Sequence, residues 1–135
     1  MYGGGVVNVA AWPADPLEGA VTEADRDAII GAATDYIASW LDSDAARMGG
    51  CLHDKLVKRA VEPDGSIDEM SRQDMVSATT ARARQGDYVV TVLDAYGDMA
   101  TVRVLSTDYV DHVQVARFGD RWQLLNVLWQ PRVKP

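Results

Sequence analysis

The second half of the chain constrains the fold most, because four β-rich segments follow one another there with only short turns between them. Gly97-Asp98 separates the first two segments, and Gly119-Asp120 separates the last two. Turn residues of this type between apolar runs are typical of β-hairpins. The segments are, in chain order, 88–96, 99–106, 109–118 and 121–130. The pattern predicts an antiparallel meander.

The first half begins with two predicted helices. Thr22 followed by Asp25 is typical of a helix N-terminus, where the threonine oxygen accepts a backbone N–H and an acid lies in the first turn. Apolar residues then recur at helical spacing to about Leu41. The segment 42–44 ends this helix and caps a second, short helix over about 45–51.

A small hairpin and a third helix complete the first half. The segments 56–61 and 67–70 are predicted strands around a Pro-Asp-Gly turn. Ser71 with Asp74 predicts the cap of a helix that runs to about Arg84. Helices first and an antiparallel meander afterwards indicate an α+β fold.

The length of 135 residues allows one domain with a genuine core. We assign residues 21–135 to that domain and residues 1–20, rich in glycine and proline, to an N-terminal extension. Two interpretations of the extension stay open: apolar residues tie it to the domain or to a partner chain, or it is ordered only by lattice contacts.

The charge of the chain excludes some partners. The net charge is −7, and the densest basic group is Lys55, Lys58 and Arg59, so a nucleic-acid or anionic membrane surface is not expected. A single cysteine, Cys51, cannot form an internal disulfide. With no signal peptide and no membrane span in the pattern, we expect a cytoplasmic protein.

The last strands carry apolar residues in both phases of the alternation. A sheet with one solvated face would alternate apolar and polar residues, so two apolar faces need two covers. We therefore expect helices on one face and a second subunit, in a homodimer, on the other. The two predicted sets are Trp122, Leu124 and Leu128, and Leu125, Val127 and Trp129.

The stretches CLHDKLVKR, DGSIDEMS and DYVDHVQVARFGDRWQLLNVLW resemble the bacterial putative lumazine-binding family, over about residues 22–129. That family belongs to the nuclear transport factor 2-like superfamily, together with polyketide cyclases and ketosteroid isomerases. The resemblance implies a cone in which three N-terminal helices pack on a curved antiparallel sheet.

The resemblance to ketosteroid isomerase also implies roles for residues. Tyr36 precedes Asp44 by the spacing of that enzyme, and the segment 110–112 matches its late strand, so Tyr36 and a protonated Asp111 would donate hydrogen bonds to an enolate oxygen. The general-base position falls on Ala60, which cannot move a proton, and Arg59 precedes it. Steroid isomerisation by that mechanism is not expected, unless Asp54 or His53 acts as the base.

The residues themselves support part of this interpretation. Tyr36 lies on the apolar stripe of its helix together with Trp40. Asp111 alternates with Val113, so one carboxyl group lies on an apolar strand face. Burial there favours the protonated form unless a cation lies nearby. We predict Tyr36 and Asp111 as catalytic, and Trp40, Val113 and Trp129 as ligand contacts.

Arg59 and His53 complete the predicted ligand contacts, with Arg59 holding an anionic group. His53 is expected in a helix-to-strand loop. His112 is out of phase with Asp111, and no clustered ligand spacing predicts a metal site. We expect no metal and no organic cofactor.

Two functions are consistent with the sequence. The first is a homodimeric small-molecule pocket protein that isomerises, dehydrates or cyclises a carbonyl compound, an isomerase or lyase. The second is a non-catalytic ligand carrier or dimeric assembly module. The missing base at Ala60 favours the second, and the inward pair Tyr36 and Asp111 favours the first.

Overall fold

The structure, a computed structural model, describes residues 21–133, and the N-terminal extension lies outside them. The helices are α1 (Glu23–Asp42), α2 (Ala45–Cys51) and α3 (Arg72–Thr79). The strands are β1 (Leu52–Val61), β2 (Ile67–Ser71), β3 (Tyr88–Tyr96), β4 (Met99–Ser106), β5 (Tyr109–Phe118) and β6 (Arg121–Pro131). The helices pack on one side of a curved, open sheet, and the predicted α+β class is confirmed.

The sheet has the strand order β2-β1-β6-β5-β4-β3. Its hairpins are antiparallel, as predicted, but β1 and β6 are parallel neighbours, with Lys58 opposite Val127. The expectation of a wholly antiparallel sheet is therefore wrong at this one pairing. It fails because a long stretch of chain separates β1 from β6, and such a connection allows a parallel pair.

Strand β1 begins at Leu52, four residues before the predicted start. His53 consequently lies on a strand and not in a loop. Helix α3 has the predicted capping box of Ser71 and Asp74 but ends at Thr79, well before Arg84. The backbone N–H of Arg84 donates to the carbonyl of Leu41 at 2.6 Å, which fixes the segment after α3 against the end of α1.

A β-bulge in β6 changes which side chains share a face. Leu125 has no partner on β5, and this extra residue reverses the alternation of the strand. Trp122 and Leu124 before the bulge and Val127 after it are all buried, whereas Leu128 is 55% exposed. The predicted division of these residues into two faces is therefore wrong.

The core lies between the helices and the side of the sheet that they cover, which we call the inner face. The opposite side is the outer face. The largest fully buried side chains include Ile29, Met48, Leu52, Met75 and Leu124. None of the helices within residues 21–133 is long and apolar enough to cross a membrane.

Candidate functional site

A cavity of about 190 Å³ lies between α1 and the inner face of the sheet. This volume is below the range of roughly 300–1,000 Å³ that is typical of sites for drug-sized ligands, so it suits a small ligand. Its apolar and aromatic lining consists of Ile37, Trp40, Met70, Met75, Tyr109 and Trp129. Tyr36, Lys58 and Asp111 add the polar groups.

Tyr36 and Asp111 meet at the wall of this cavity. The Tyr36 hydroxyl donates a hydrogen bond to Oδ2 of Asp111 at 2.6 Å, and both residues are buried. Tyr36 points inward because the apolar stripe of α1 packs on the sheet. Asp111 points inward because it shares the phase of the fully buried Val113 on β5.

Lys58 of β1 is the third polar group. Its Nζ donates to the Tyr36 oxygen at 2.6 Å and lies 3.7 Å from Oδ2 of Asp111. The two charged side chains are only 11% and 6% exposed. Such a pair takes an ionised form when the attraction between the charges offsets their desolvation. A cation therefore lies within ion-pair distance of Asp111.

Burial shifts the pKa of both partners of Asp111, in opposite directions. Loss of water raises the pKa of Tyr36 well above its ordinary value, and Asp111 raises it further, so this phenol stays protonated at neutral pH. Burial lowers the pKa of Lys58, and the attraction of Asp111 opposes that effect. The site thus holds a neutral hydroxyl and an amine that gives up its proton more readily than an exposed lysine.

Aromatic rings surround the amine. The Nζ of Lys58 lies 5.2 Å from the ring centroid of Tyr36, 5.2 Å from that of Trp129 and 5.9 Å from that of Trp40. Tyr109 packs edge-on against Trp129, with centroids 5.3 Å apart. Trp40, Tyr109 and Trp129 line the cavity and are only partly buried.

Arg84 stacks on the ring of Trp40. Its guanidinium carbon lies 3.5 Å from the Trp40 ring centroid, and its nitrogens donate to the carbonyls of Trp40 and Ala78. A stacked guanidinium with fixed hydrogen bonds restricts the rotation of the indole. Arg84 therefore supports the Trp40 side of the cavity.

Of the predicted site residues, the structure brings together Tyr36, Trp40, Asp111 and Trp129 around one cavity. In the structure Asp111 accepts the hydrogen bond of Tyr36. The role of a protonated Asp111 that donates to a ligand stays a prediction.

The other three predicted ligand contacts lie outside this cavity. Arg59 points to the outer face, where it pairs with Glu69 at 3.7 Å. His53 stacks on Phe118, with ring centroids 4.1 Å apart. Val113 is fully buried in the core of the sheet. Asp54, considered as a substitute base, is exposed and lies near Arg72.

Sequence reasoning missed Lys58, although a signal for it exists. Leu56, Lys58 and Ala60 share one phase of β1, and the first and last of them are buried. A charged residue in an apolar phase is the same signal that identified Asp111. The comparison with ketosteroid isomerase instead directed attention to Ala60 and Arg59.

The remaining candidate groups do not form a second site. Cys51 is buried, and burial raises the pKa of its thiol to about 12, so it is inert at neutral pH. No group of three or more His, Cys, Asp or Glu side chains that could hold a metal occurs among residues 21–133.

The fold defines the class of the protein. The chain is similar to an NTF-2-like protein of unknown function from Silicibacter pomeroyi, at 15% identity and a TM-score of 0.70, over 83% of this chain and 100% of that one. An NTF2-like protein of unknown function from Shewanella baltica matches at 13% identity and a TM-score of 0.72, over 84% and 99%. A ketosteroid isomerase-like protein from Erwinia carotovora atroseptica matches at 14% identity and a TM-score of 0.65, over 84% and 100%. The fold is therefore nuclear transport factor 2-like.

The family follows from the sequence. The family described as "Putative lumazine-binding" matches residues 24–130, and the chain belongs to it. A search of the curated proteins gives no match.

Proposed function

We propose that the chain binds a small carbonyl compound in the cavity and performs acid–base chemistry on it. The observation that carries the proposal is the hydrogen bond of 2.6 Å between Tyr36 and Asp111 at the wall of an otherwise apolar cavity. An apolar cavity with a few convergent polar groups is the usual form of a small-molecule site. Membership of a family described as lumazine-binding agrees with a small-molecule ligand.

The polar groups divide the chemistry between donor and acceptor. The Lys58 amine can donate to a carbonyl oxygen and stabilise the enolate that forms when a neighbouring carbon loses its proton. Oδ1 of Asp111 accepts no hydrogen bond from the described residues, so this carboxylate can accept that proton. Asp111 thus acts as the base in place of the missing carboxylate at Ala60.

The test uses Asp111→Asn. The amide keeps the shape and accepts the Tyr36 hydrogen bond but cannot take a proton, so we expect ligand binding to weaken or turnover to fall by about 10²–10⁴-fold. Asp54→Asn, which removes an exposed carboxylate of β1, is the matched control.

Native mass spectrometry of the protein purified from its own host supplies the ligand for this test. A bound small mass on wild type that is lost from Asp111→Asn and kept by Asp54→Asn supports the proposal. Unchanged ligand binding and turnover in Asp111→Asn would remove Asp111 from the site.

The second candidate is a ligand carrier or a homodimeric assembly module without chemistry. Exposed apolar side chains on the outer face favour it, among them Met99, 62% exposed, and Leu128, 55% exposed. Burying them against a second copy would remove apolar area from water. Sedimentation velocity that gives the mass of one chain would exclude the dimer.

A further inference from the structure

The hydrogen bonding of Lys58 differs from that of a structural lysine. Among the described residues, its Nζ hydrogen-bonds only the Tyr36 oxygen, because 3.7 Å to Asp111 exceeds hydrogen-bonding distance. An ammonium has three N–H groups, and a buried polar group normally has its partners. The amine therefore has N–H groups left that can donate to a molecule in the cavity.

The surroundings of Lys58 also make its ammonium group easier to deprotonate than that of an exposed lysine. The rings of Tyr36, Trp40 and Trp129 take the place of water around Nζ. The titratable groups that act on it are Tyr36 from α1, Asp111 from β5 and, at longer range, Asp68 from β2. Desolvation is the largest effect and lowers the pKa of Lys58, and the attraction of the Asp111 and Asp68 carboxylates opposes it. A desolvated lysine in an apolar pocket is the usual form of a nucleophilic amine.

We propose that the Nζ of Lys58 forms an imine with an aldehyde or ketone held in this cavity. The inference rests on the proposed function, because it assumes that a carbonyl compound occupies the cavity. It assigns the ligand class by its reactive group and makes Lys58 a covalent catalyst.

The step balances without any co-reactant. The ammonium first loses one proton, and the amine lone pair then forms a bond to the carbonyl carbon. The carbonyl π pair moves to the oxygen, which takes up protons and leaves as water when the C–O bond breaks. One ammonium and one carbonyl group give one iminium and one water molecule.

Tyr36 and Asp111 provide the route for the proton. Lys58 donates to the Tyr36 oxygen, and the Tyr36 hydroxyl donates to Asp111, each at 2.6 Å. A shift of both protons along this chain leaves a neutral amine and a protonated Asp111. Asp111 then gives its proton back through Tyr36, whose hydroxyl donates to the departing oxygen. The second proton of the water molecule is the one that the nitrogen loses after it has attacked the carbonyl carbon.

Lys55 provides an internal control for this chemistry. It lies on the same strand but is exposed and does not line the cavity that Lys58 lines. A difference in reactivity between Lys55 and Lys58 within one molecule depends on the surroundings of each amine, because the side chains are chemically identical.

The experiment treats the full chain with benzaldehyde, cyclohexanone or phenylpyruvate in the presence of sodium cyanoborohydride, which reduces an iminium to a stable secondary amine. Peptide mass spectrometry then locates the label. We expect at least one probe to label Lys58 at least about tenfold faster than Lys55 at pH 7, because a carbonyl compound held in the cavity lies beside the Lys58 amine and reacts as an intramolecular partner. Lys58→Arg, which keeps the charge, should lose this label, and Lys55→Arg should keep it.

NMR shifts of the Ile37 and Met75 methyl groups, which line the cavity, report binding independently of the label. Suppose that the probes shift these methyl groups but label Lys55 as fast as Lys58. The imine proposal is then wrong, while the proposed function stands. If none of the three probes shifts these methyl groups, the proposed function and the imine both fail. The comparison of Lys58 with Lys55 is made within the wild-type chain, so it does not depend on the folding of any variant.

Discussion

Lys58 and Arg59 are neighbours in the sequence but lie on opposite faces of the sheet, and their ion pairs differ accordingly. Lys58 lies on the inner face with Asp111, where the two side chains are 11% and 6% exposed. Arg59 lies on the outer face with Glu69, where they are 47% and 58% exposed. The charge separation is 3.7 Å in both pairs. Burial, and not distance, therefore distinguishes a candidate site from a surface contact.

Removing one charge of each pair should give the largest difference in the free energy of unfolding between the two faces. Asp111→Ala leaves Lys58 without its carboxylate in a low-dielectric site and should destabilise the fold by about 3–5 kcal/mol. Glu69→Ala removes the exposed partner and should change the free energy of unfolding by no more than about 0.5 kcal/mol. Urea unfolding at pH 7 measures both, and equal losses would contradict the distinction drawn between the two faces.

Alkaline pH should lower the stability of the fold through Tyr36 on the inner face. The pKa of Tyr36 is raised in the folded state, so the folded chain binds more protons than the unfolded chain above the ordinary tyrosine pKa of about 10. The Tyr36 contribution to stability is therefore fully present below that pH and is lost as the pH rises through the folded pKa.

The measurement is the slope of unfolding free energy against pH above 10. Wild type should lose up to about 1.4 kcal/mol per pH unit more than Tyr36→Phe. Tyr96→Phe, which removes a 45% exposed tyrosine, is the control. A slope unaltered by Tyr36→Phe would show that the phenol titrates alike in both states.

The smallest effect on the stability of the chain should come from the outer face. Leu128→Glu places a charge on a side chain that is 55% exposed, so we expect a change of about 0.5 kcal/mol or less in the isolated chain. If a second copy covers this face, the same change should dissociate the dimer in sedimentation velocity. Lys55→Glu is a control on an exposed position of β1. An unchanged dimer would exclude Leu128 from the interface.

Two of the three polar groups of the site follow from the sequence pattern. The apolar stripe of α1 directs Tyr36 inward, and the alternation of β5 does the same for Asp111. The prediction failed on β1, because a family comparison without gaps directed attention to Ala60 and Arg59. The actual start of β1 at Leu52 and its parallel pairing with β6 were not accessible from local patterns.

The sequence by itself determined the local elements: the Gly-Asp turns of the meander, the Ser71–Asp74 capping box and the α+β order. Only the tertiary structure decided the bulge at Leu125 and the meeting of Lys58 with Tyr36 and Asp111. The physical reason is the period of two in a β-strand: one extra residue, or a shift of one in register, exchanges the two faces. Which phase is buried depends on the strands and helices that pack against it, and those come from distant parts of the chain.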